Sequence, residues 1–177
     1  AGMIAYRQAR DRLVERVGSF PVKTQHGAMT GYAYVTPFET IQQFAFVHGE
    51  IGDGRDVLVR LHRSNVVADV IEGGGQIDCV MRRFAREGRG VLVYLRDGTA
   101  GAPLSRYADE GAEAQRVRQW REVGLGAQIL RDLGVHPIRN LATPARAHAG
   151  LPRRGLQPLG DEPPECPTAR LSRPAQS

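Results

Sequence analysis

The stretch from residue 56 to residue 94 constrains the fold of this chain most, because two apolar runs flank one clear helical pattern. Apolar side chains at the spacing of a single helix face predict a helix over Gln76–Arg86. The members of this stripe are Ile77, Val80, Met81 and Phe84. Val57–Leu61 and Val91–Leu95 are short and mostly apolar, which is typical of buried strands. The stretch therefore predicts a helix packed on a sheet.

The residues before this stretch have the patterns of strands separated by turns. Three strand-like runs are Phe20–Thr24, Met29–Val35 and Ile41–Val47. Alternation within the second run places Tyr32 and Tyr34 on one face. Together with Val57–Leu61, these runs predict a meander of antiparallel strands.

The two ends of the chain differ from its middle. Met3–Val17 lacks proline and predicts a helix, so we expect residues 1–18 to form a connector and residues 19–160 the folded domain. Another helix is predicted over Trp120–Leu133, and its apolar face consists of Trp120, Val123, Ala127 and Leu130. Val135–Leu141 and Gly155–Leu159 predict two late strands. The proline-rich residues 161–177 predict a disordered tail.

The composition, with 41% hydrophobic and 24% charged residues, is that of an ordinary globular chain. The net charge of +5 comes from arginines spread along the chain, which argues against a nucleic-acid surface. No apolar run approaches the roughly 18 residues of a membrane span, so we expect no membrane segment. Two cysteines, Cys79 and Cys166, are too few for a disulfide framework, and we expect both to be reduced thiols in a cytoplasmic protein.

Three segments carry a resemblance to a known family. DVLVRLH (56–62), EGRGVLVYLR (87–96) and GLGAQILRDLGV (124–135) are similar, in this order, to landmarks of GTP cyclohydrolase II. The resemblance implies an α+β fold with an antiparallel or mixed sheet and packed helices, and it implies a homodimer. It also implies a zinc enzyme that opens the guanine ring of GTP. The segment MIAYRQARDRLVERV resembles the junction to a 3,4-dihydroxy-2-butanone 4-phosphate synthase domain, which implies a fused or associated synthase partner.

The zinc site of the family is where this sequence departs from the resemblance. The family has the run H-S-E-C-x-T-G-D and then a C-D-C pair, whereas here His62–Asp69 reads HRSNVVAD and is followed by VIEGGG. Asn65 therefore stands where the family has its first cysteine. Cys79 falls within the predicted helix and not at a ligand position. We expect no metal, and so no zinc cofactor, in this chain.

Other family site residues are kept only in part. Gln119 replaces the family's aspartate and cannot act as a general base, while Arg121 is kept and is the residual catalytic candidate. The resemblance leaves Arg60, His62 and Arg146 as residual nucleotide or phosphate-binding candidates. No catalytic residue is assigned beyond these.

The resulting hypothesis is a degenerate, zinc-free GTP cyclohydrolase II-like pseudoenzyme linked to riboflavin biosynthesis. It would have a structural or regulatory role for a 3,4-dihydroxy-2-butanone 4-phosphate synthase. The alternative is a divergent active cyclohydrolase, in which Arg60, Arg121 and Arg146 hold the phosphates of GTP or a related purine nucleotide. A third hypothesis is a module that binds a flavin or nucleotide without turnover.

Overall fold

The order of strands and helices puts one mixed sheet at the centre of the molecule. A computed structural model describes residues 14–37, 39–98, 111–136, 156–158 and 169–171. The strands are β1 (Glu15–Thr24), β2 (Gly27–Thr36), β3 (Glu39–His48), β4 (Leu58–Arg63), β5 (Gly90–Leu95), β6 (Leu156–Pro158) and β7 (Ala169–Leu171). A π-helix (Val67–Ile71) and the helices α1 (Gly75–Glu87) and α2 (Ala112–Asp132) complete the described elements. None of the described helices is both long and apolar enough to cross a membrane.

The strands lie in the order β1-β2-β3-β5-β4-β7-β6. All neighbours are antiparallel except β4 and β5, which run parallel. Parallel neighbours need a crossover connection, and the π-helix and α1 supply it between these two strands. The predicted α+β fold with a mixed sheet and packed helices is therefore confirmed.

The two helices cover opposite faces of the sheet. Ile129 and Leu130 of α2 belong to the larger core cluster, which also contains Val59 and Val93 of the central strands. Val80 and Phe84 of α1 belong to the smaller cluster, and their sheet partners are Met29, Leu58 and Leu92. Since successive strand residues point to opposite faces, β4 and β5 contribute alternate residues to the two clusters.

The close approach of α1 to the sheet explains why a glycine, Gly90, stands at the start of β5. A Cβ atom added to Gly90 would lie 2.1 Å from the ring of Phe84, whose side chain is fully buried. The absence of a side chain at this position lets α1 pack directly on the sheet.

Several elements predicted from the pattern are present. The helix over Gln76–Arg86 is confirmed as α1, and Cys79 lies within it. The predicted second and third strands correspond to β2 and β3, and the run Val91–Leu95 lies in β5. The Arg16 guanidinium covers both the Tyr32 and the Tyr34 ring, so these tyrosines share a face as predicted.

The predictions for the two ends of the chain are wrong for the residues that the structure describes. The predicted connector helix included Glu15–Val17, which instead begin β1, since pairing with β2 overrides the local helical preference. Residues 1–13 lie outside the described part. The predicted disordered tail contains Ala169–Leu171, which form β7 beside β4. Three residues are enough here because neighbouring strands satisfy the backbone hydrogen bonds.

The predicted meander and two later predictions also need correction. β4 does not follow β3 in the sheet, because β5 lies between them. Val135 and His136 are not in a strand, and residues 137–141 lie outside the described part. Of the last predicted strand, the structure describes residues 156–158, and these form β6.

The predicted helix over Trp120–Leu133 is present but begins earlier, at Ala112. Trp120 was predicted on its apolar face, yet this side chain is 61% exposed, while Val123 and Leu130 are buried. Helical periodicity gives the angle of a residue around the axis and not the point along the axis where contact with the sheet begins.

Cys79 is disulfide-bonded, so the prediction of a reduced thiol is wrong for this residue. That prediction rested on the number of cysteines, which does not show which distant residues meet. Cys166 lies outside the described residues.

Candidate functional site

A polar cluster lies where β4 and β5 end, on the face covered by α1. His62 Nε2 is 2.8 Å from Asp69 Oδ1. The Tyr94 hydroxyl donates to Asp69 Oδ2 over 2.6 Å, and the Asn65 backbone N–H donates to the same oxygen over 3.0 Å. Both carboxylate oxygens of Asp69 are thus engaged. We refer to His62, Asn65, Asp69 and Tyr94 as the Asp69 cluster.

The fold brings the members of the Asp69 cluster together. His62 and Tyr94 are partners in the parallel register of β4 and β5, and their rings stack with centroids 5.4 Å apart. The Ser64 N–H donates to the Leu95 carbonyl over 2.8 Å, so the chain leaves the sheet in a fixed direction. The Asn65 side-chain oxygen then accepts from the Ala68 N–H, three residues along the chain, over 3.1 Å, and the π-helix follows.

The electrostatics of the Asp69 cluster favour a charged carboxylate. Burial raises the pKa of Asp69, but hydrogen bonds from Asn65, Tyr94 and His62 outweigh it, so that this pKa lies below its usual value. Burial, followed by the hydrogen bond to Asp69, raises the pKa of Tyr94 to about 12. Tyr94 therefore remains a hydrogen-bond donor at neutral pH.

The residues of this region do not fit the zinc ion that the family resemblance implies. Zinc needs thiolates, or the lone pairs of imidazole and carboxylate groups. Asn65 stands at the position of the first family cysteine, and its side-chain oxygen is used by the Ala68 backbone. Asp69 Oδ2 accepts hydrogen bonds from the Tyr94 hydroxyl and the Asn65 N–H, and Asp69 Oδ1 lies 2.8 Å from His62 Nε2, so both oxygens that a metal would need are engaged. Among the described residues, no group of three or more His, Cys, Asp and Glu side chains is arranged to hold a metal.

A charged cleft of about 220 Å³ lies at the same strand ends on the opposite face, beside α2. Its lining residues are Glu39, Arg96, Asp97, Arg118, Arg121, Glu122 and Leu125. The Arg121 guanidinium pairs with the Glu39 carboxylate. Arg63 contacts Asp97 at 2.6 Å and Glu122 at 3.2 Å. Burial raises the pKa of Glu122, and the charge of Arg63 opposes this rise. The cleft could accept an anion only by competing with these acidic groups.

The four residual site candidates do not form one site in the described structure. Arg60 and His62 alternate with Val59 on β4 and so point away from α2, towards the face covered by α1. Arg121 lies on α2, on the other side of the sheet. Arg60 is partly buried, and burial lowers its pKa. Arg146 lies outside the described residues.

Sequence reasoning missed Tyr94 and Glu39 as parts of these sites. Tyr94 contacts Asp69 across 25 positions of sequence, and Glu39 contacts Arg121 across 82. No local pattern links such distant positions. The signal that could have found Tyr94 is the alternation within two apolar strands, once their parallel pairing is known.

The comparisons with known proteins agree with this architecture. The sequence profile of the GTP cyclohydrolase II family matches residues 15–161, and the chain belongs to this family. The crystal structure of RibBX, a two domain 3,4-dihydroxy-2-butanone 4-phosphate synthase from A. baumannii, matches with a TM-score of 0.53 and 28% sequence identity. The match covers 80% of this chain and 40% of that chain.

Two plant relatives are also similar. The probable bifunctional riboflavin biosynthesis protein RIBA 1, chloroplastic, of Oryza sativa subsp. japonica is 36% identical over 192 residues. The monofunctional riboflavin biosynthesis protein RIBA 2, chloroplastic, of Arabidopsis thaliana is 37% identical over 174 residues. These matches cover 98% and 92% of this chain but only 36% and 37% of the respective relatives. The chain thus spans little more than a third of the length of these two plant relatives.

Proposed function

We propose that this chain is a riboflavin-biosynthesis module that does not open the ring of GTP and that supports a 3,4-dihydroxy-2-butanone 4-phosphate synthase. The observation that carries the proposal is the use of the Asn65 side chain and the Asp69 carboxylate in internal hydrogen bonds. In the family pattern, a thiolate stands at position 65 and helps to hold zinc, which activates the attacking water. A carboxamide that caps a turn cannot replace it.

Two further observations support the loss of turnover. Gln119 stands where the family has an aspartate, and it lies exposed on α2. An amide has no basic lone pair that could accept a proton from water at neutral pH. Arg121 is directed at Glu39, so the retained arginine is already paired. Arg121 therefore has Glu39 as a structural partner within the chain.

The supporting role for a synthase rests on the relatives. One relative is named bifunctional and another monofunctional, and the matching solved structure is titled a two-domain synthase. A fused or associated synthase domain is the partner that these names favour, and a homodimer is the assembly that the family implies. The plant relatives are named chloroplastic, so the cytoplasmic location stays a prediction.

Turnover is tested by incubating the purified protein with GTP, magnesium and zinc and measuring the release of formate and of the diaminopyrimidine product. We expect no release above a control that contains only metal and GTP. Sustained release that is lost in Arg121→Ala would contradict the proposal.

The supporting role is tested by adding the chain to an isolated synthase domain. The activity of the synthase is measured, and the mass of the complex is measured by light scattering. Unchanged synthase activity, with the two proteins measured at their separate masses, would argue against that role.

The charged cleft is the observation that favours the alternative, a divergent cyclohydrolase or a nucleotide-binding module. Arg96, Arg118 and Arg121 line this cleft beside the carboxyl ends of β4 and β5, where ligands commonly bind in α/β units. Titration calorimetry with GTP, comparing the wild type with Arg121→Ala, separates the possibilities. Binding with turnover supports the enzyme, binding without turnover supports the binding module, and no binding leaves the structural role.

A further inference from the structure

We propose that the Asp69 cluster fixes residues 64–74 by hydrogen bonds alone and so does the structural work of a metal ion. The proposal goes beyond the function above, because it concerns what holds this segment and not what the domain catalyses. In the family pattern, zinc would tie this part of the chain to the site. Here the same part is tied through the carboxylate of Asp69.

The carboxylate connects three separate pieces of the chain. His62 belongs to β4, Tyr94 belongs to β5, and the Asn65 backbone begins the segment that leaves β4. Asp69 itself lies in the π-helix. One side chain thus connects the π-helix to two adjacent strands. A bound metal ion connects separate parts of a chain in the same way.

The burial of the cluster makes these hydrogen bonds effective. The side chains of His62 and Asp69 are only 9% and 6% exposed. Hydrogen bonds to a charged group are stronger than those between neutral groups, and low solvent exposure increases this difference. The outer side of the segment is different, since Val70 and Ile71 are 67% and 75% exposed. Apolar packing of these side chains therefore does not hold the π-helix.

The backbone of the segment carries several amides that report its order. The Asp69 N–H donates to the Asn65 carbonyl over 2.7 Å, and the Gly74 N–H donates to the Ala68 carbonyl over 2.9 Å. The Glu72 N–H donates to the Val67 carbonyl over 2.8 Å. If Asp69 anchors the segment, these amides exchange slowly with solvent only while its carboxylate is present.

The test is hydrogen–deuterium exchange followed by mass spectrometry on peptides that cover residues 64–74. We expect exchange in the wild type to be the same with and without the chelator 1,10-phenanthroline. Asp69→Ala should accelerate exchange about ten- to a hundredfold, as expected for a lost hydrogen bond to a charged group. Peptides from α2 should exchange as in the wild type.

Matched variants separate the anchor from general damage. Glu72→Ala removes a carboxylate from the same segment and should leave exchange within about twofold of the wild type. Tyr94→Phe deletes only the hydroxyl that donates to Asp69, and it tests the proposal if Asp69→Ala fails to fold. Its control is Tyr32→Phe on β2. Tyr94→Phe should accelerate exchange in residues 64–74 and Tyr32→Phe should not.

Two results would overturn the proposal. One is faster exchange of wild-type residues 64–74 in chelator, which would show that a bound metal holds the segment. The other is that exchange in residues 64–74 is unchanged in both Tyr94→Phe and Asp69→Ala. If Asp69→Ala does not fold, unchanged exchange in Tyr94→Phe is sufficient to overturn the proposal. Exchange is measured without GTP, so this outcome is independent of the turnover assay.

Discussion

Tyr34 shows how a single hydroxyl group joins the start of the sheet to the end of α2. Its ring is fully buried, and its hydroxyl donates to Asp132 Oδ2 over 2.8 Å. Arg16 approaches the same carboxylate at 2.6 Å. Burial, with the hydrogen bond to Asp132, raises the pKa of Tyr34 far above its usual value, so the hydroxyl stays protonated.

Tyr34→Phe should lower the free energy of unfolding by about 1–3 kcal/mol, because the hydrogen bond to a charged acceptor is lost while the ring packing is kept. Urea denaturation followed by circular dichroism measures this change. Tyr32→Phe is the matched control, since Tyr32 contacts Arg16 through the face of its ring, 4.7 Å from the guanidinium carbon. Equal stability of the two variants would contradict the prediction.

Asp78 gives the molecule an acid-sensitive contact between the β1–β2 turn and the first turn of α1. The hydrogen bond with His26, 2.6 Å from Asp78 Oδ1, is the main cause that holds the pKa of Asp78 below its usual value. Arg82 adds an i,i+4 ion pair at 2.7 Å. A carboxylate with a depressed pKa stabilises the fold above the unfolded pKa of about 4, and this contribution is lost as the pH falls through the lower folded value.

Asp78→Asn should therefore be less stable than the wild type at pH 7, and the difference should shrink between about pH 4 and pH 2. Thermal unfolding midpoints of both proteins across this range measure the effect. A difference that stays constant down to pH 2 would show that the charge of Asp78 is not the cause.

At the scale of elements, α2 contains two glycines with different surroundings. A Cβ atom added to Gly126 would lie 2.8 Å from a methyl carbon of Leu61 on β4, whereas nothing lies within 4 Å of such an atom on Gly124. Gly126 is buried, so the lack of a side chain there lets the helix approach the sheet. Gly124 has no comparable packing reason.

Gly124→Ala should raise the free energy of unfolding by roughly 0.5–1 kcal/mol, because alanine loses less backbone entropy in a helix. Gly126→Ala gains the same propensity but overpacks against Leu61, which costs about 1–3 kcal/mol. In urea denaturation, we expect Gly124→Ala to be more stable than the wild type and Gly126→Ala to be less stable. If both are stabilised, Leu61 has moved aside without cost and the close approach does not limit the packing.

At the scale of the whole molecule, the disulfide at Cys79 is a covalent constraint on the α1 side of the sheet. A disulfide stabilises a fold mainly by restricting the unfolded chain, by about 2–4 kcal/mol. Cys79→Ser should lower the free energy of unfolding by this amount. A reducing agent should lower the stability of the wild type equally and leave the variant unchanged. Mass spectrometry after alkylation without reductant checks the bond, and a labelled Cys79 would refute it.

The sequence by itself was sufficient for elements whose signal is local. The apolar spacing in α1 and the alternation in β2 are properties of consecutive residues, so both were predicted with nearly correct bounds. The resemblance to the family likewise rested on short segments in a fixed order. The asparagine at position 65, where the family resemblance implies a cysteine, also needed only a residue identity.

Only the tertiary structure decided which distant residues meet. The parallel pairing of β4 with β5 stacks His62 on Tyr94. The packing of α2 on one face of the sheet separates Arg121 from Arg60, which lies on the other face. The pairing of β1 with β2 likewise turned a predicted helix end at Glu15 into a strand. Local patterns give the direction of each side chain within its own element. Strand order and register depend on packing and hydrogen bonds summed over the whole sheet, and no single segment contains that information.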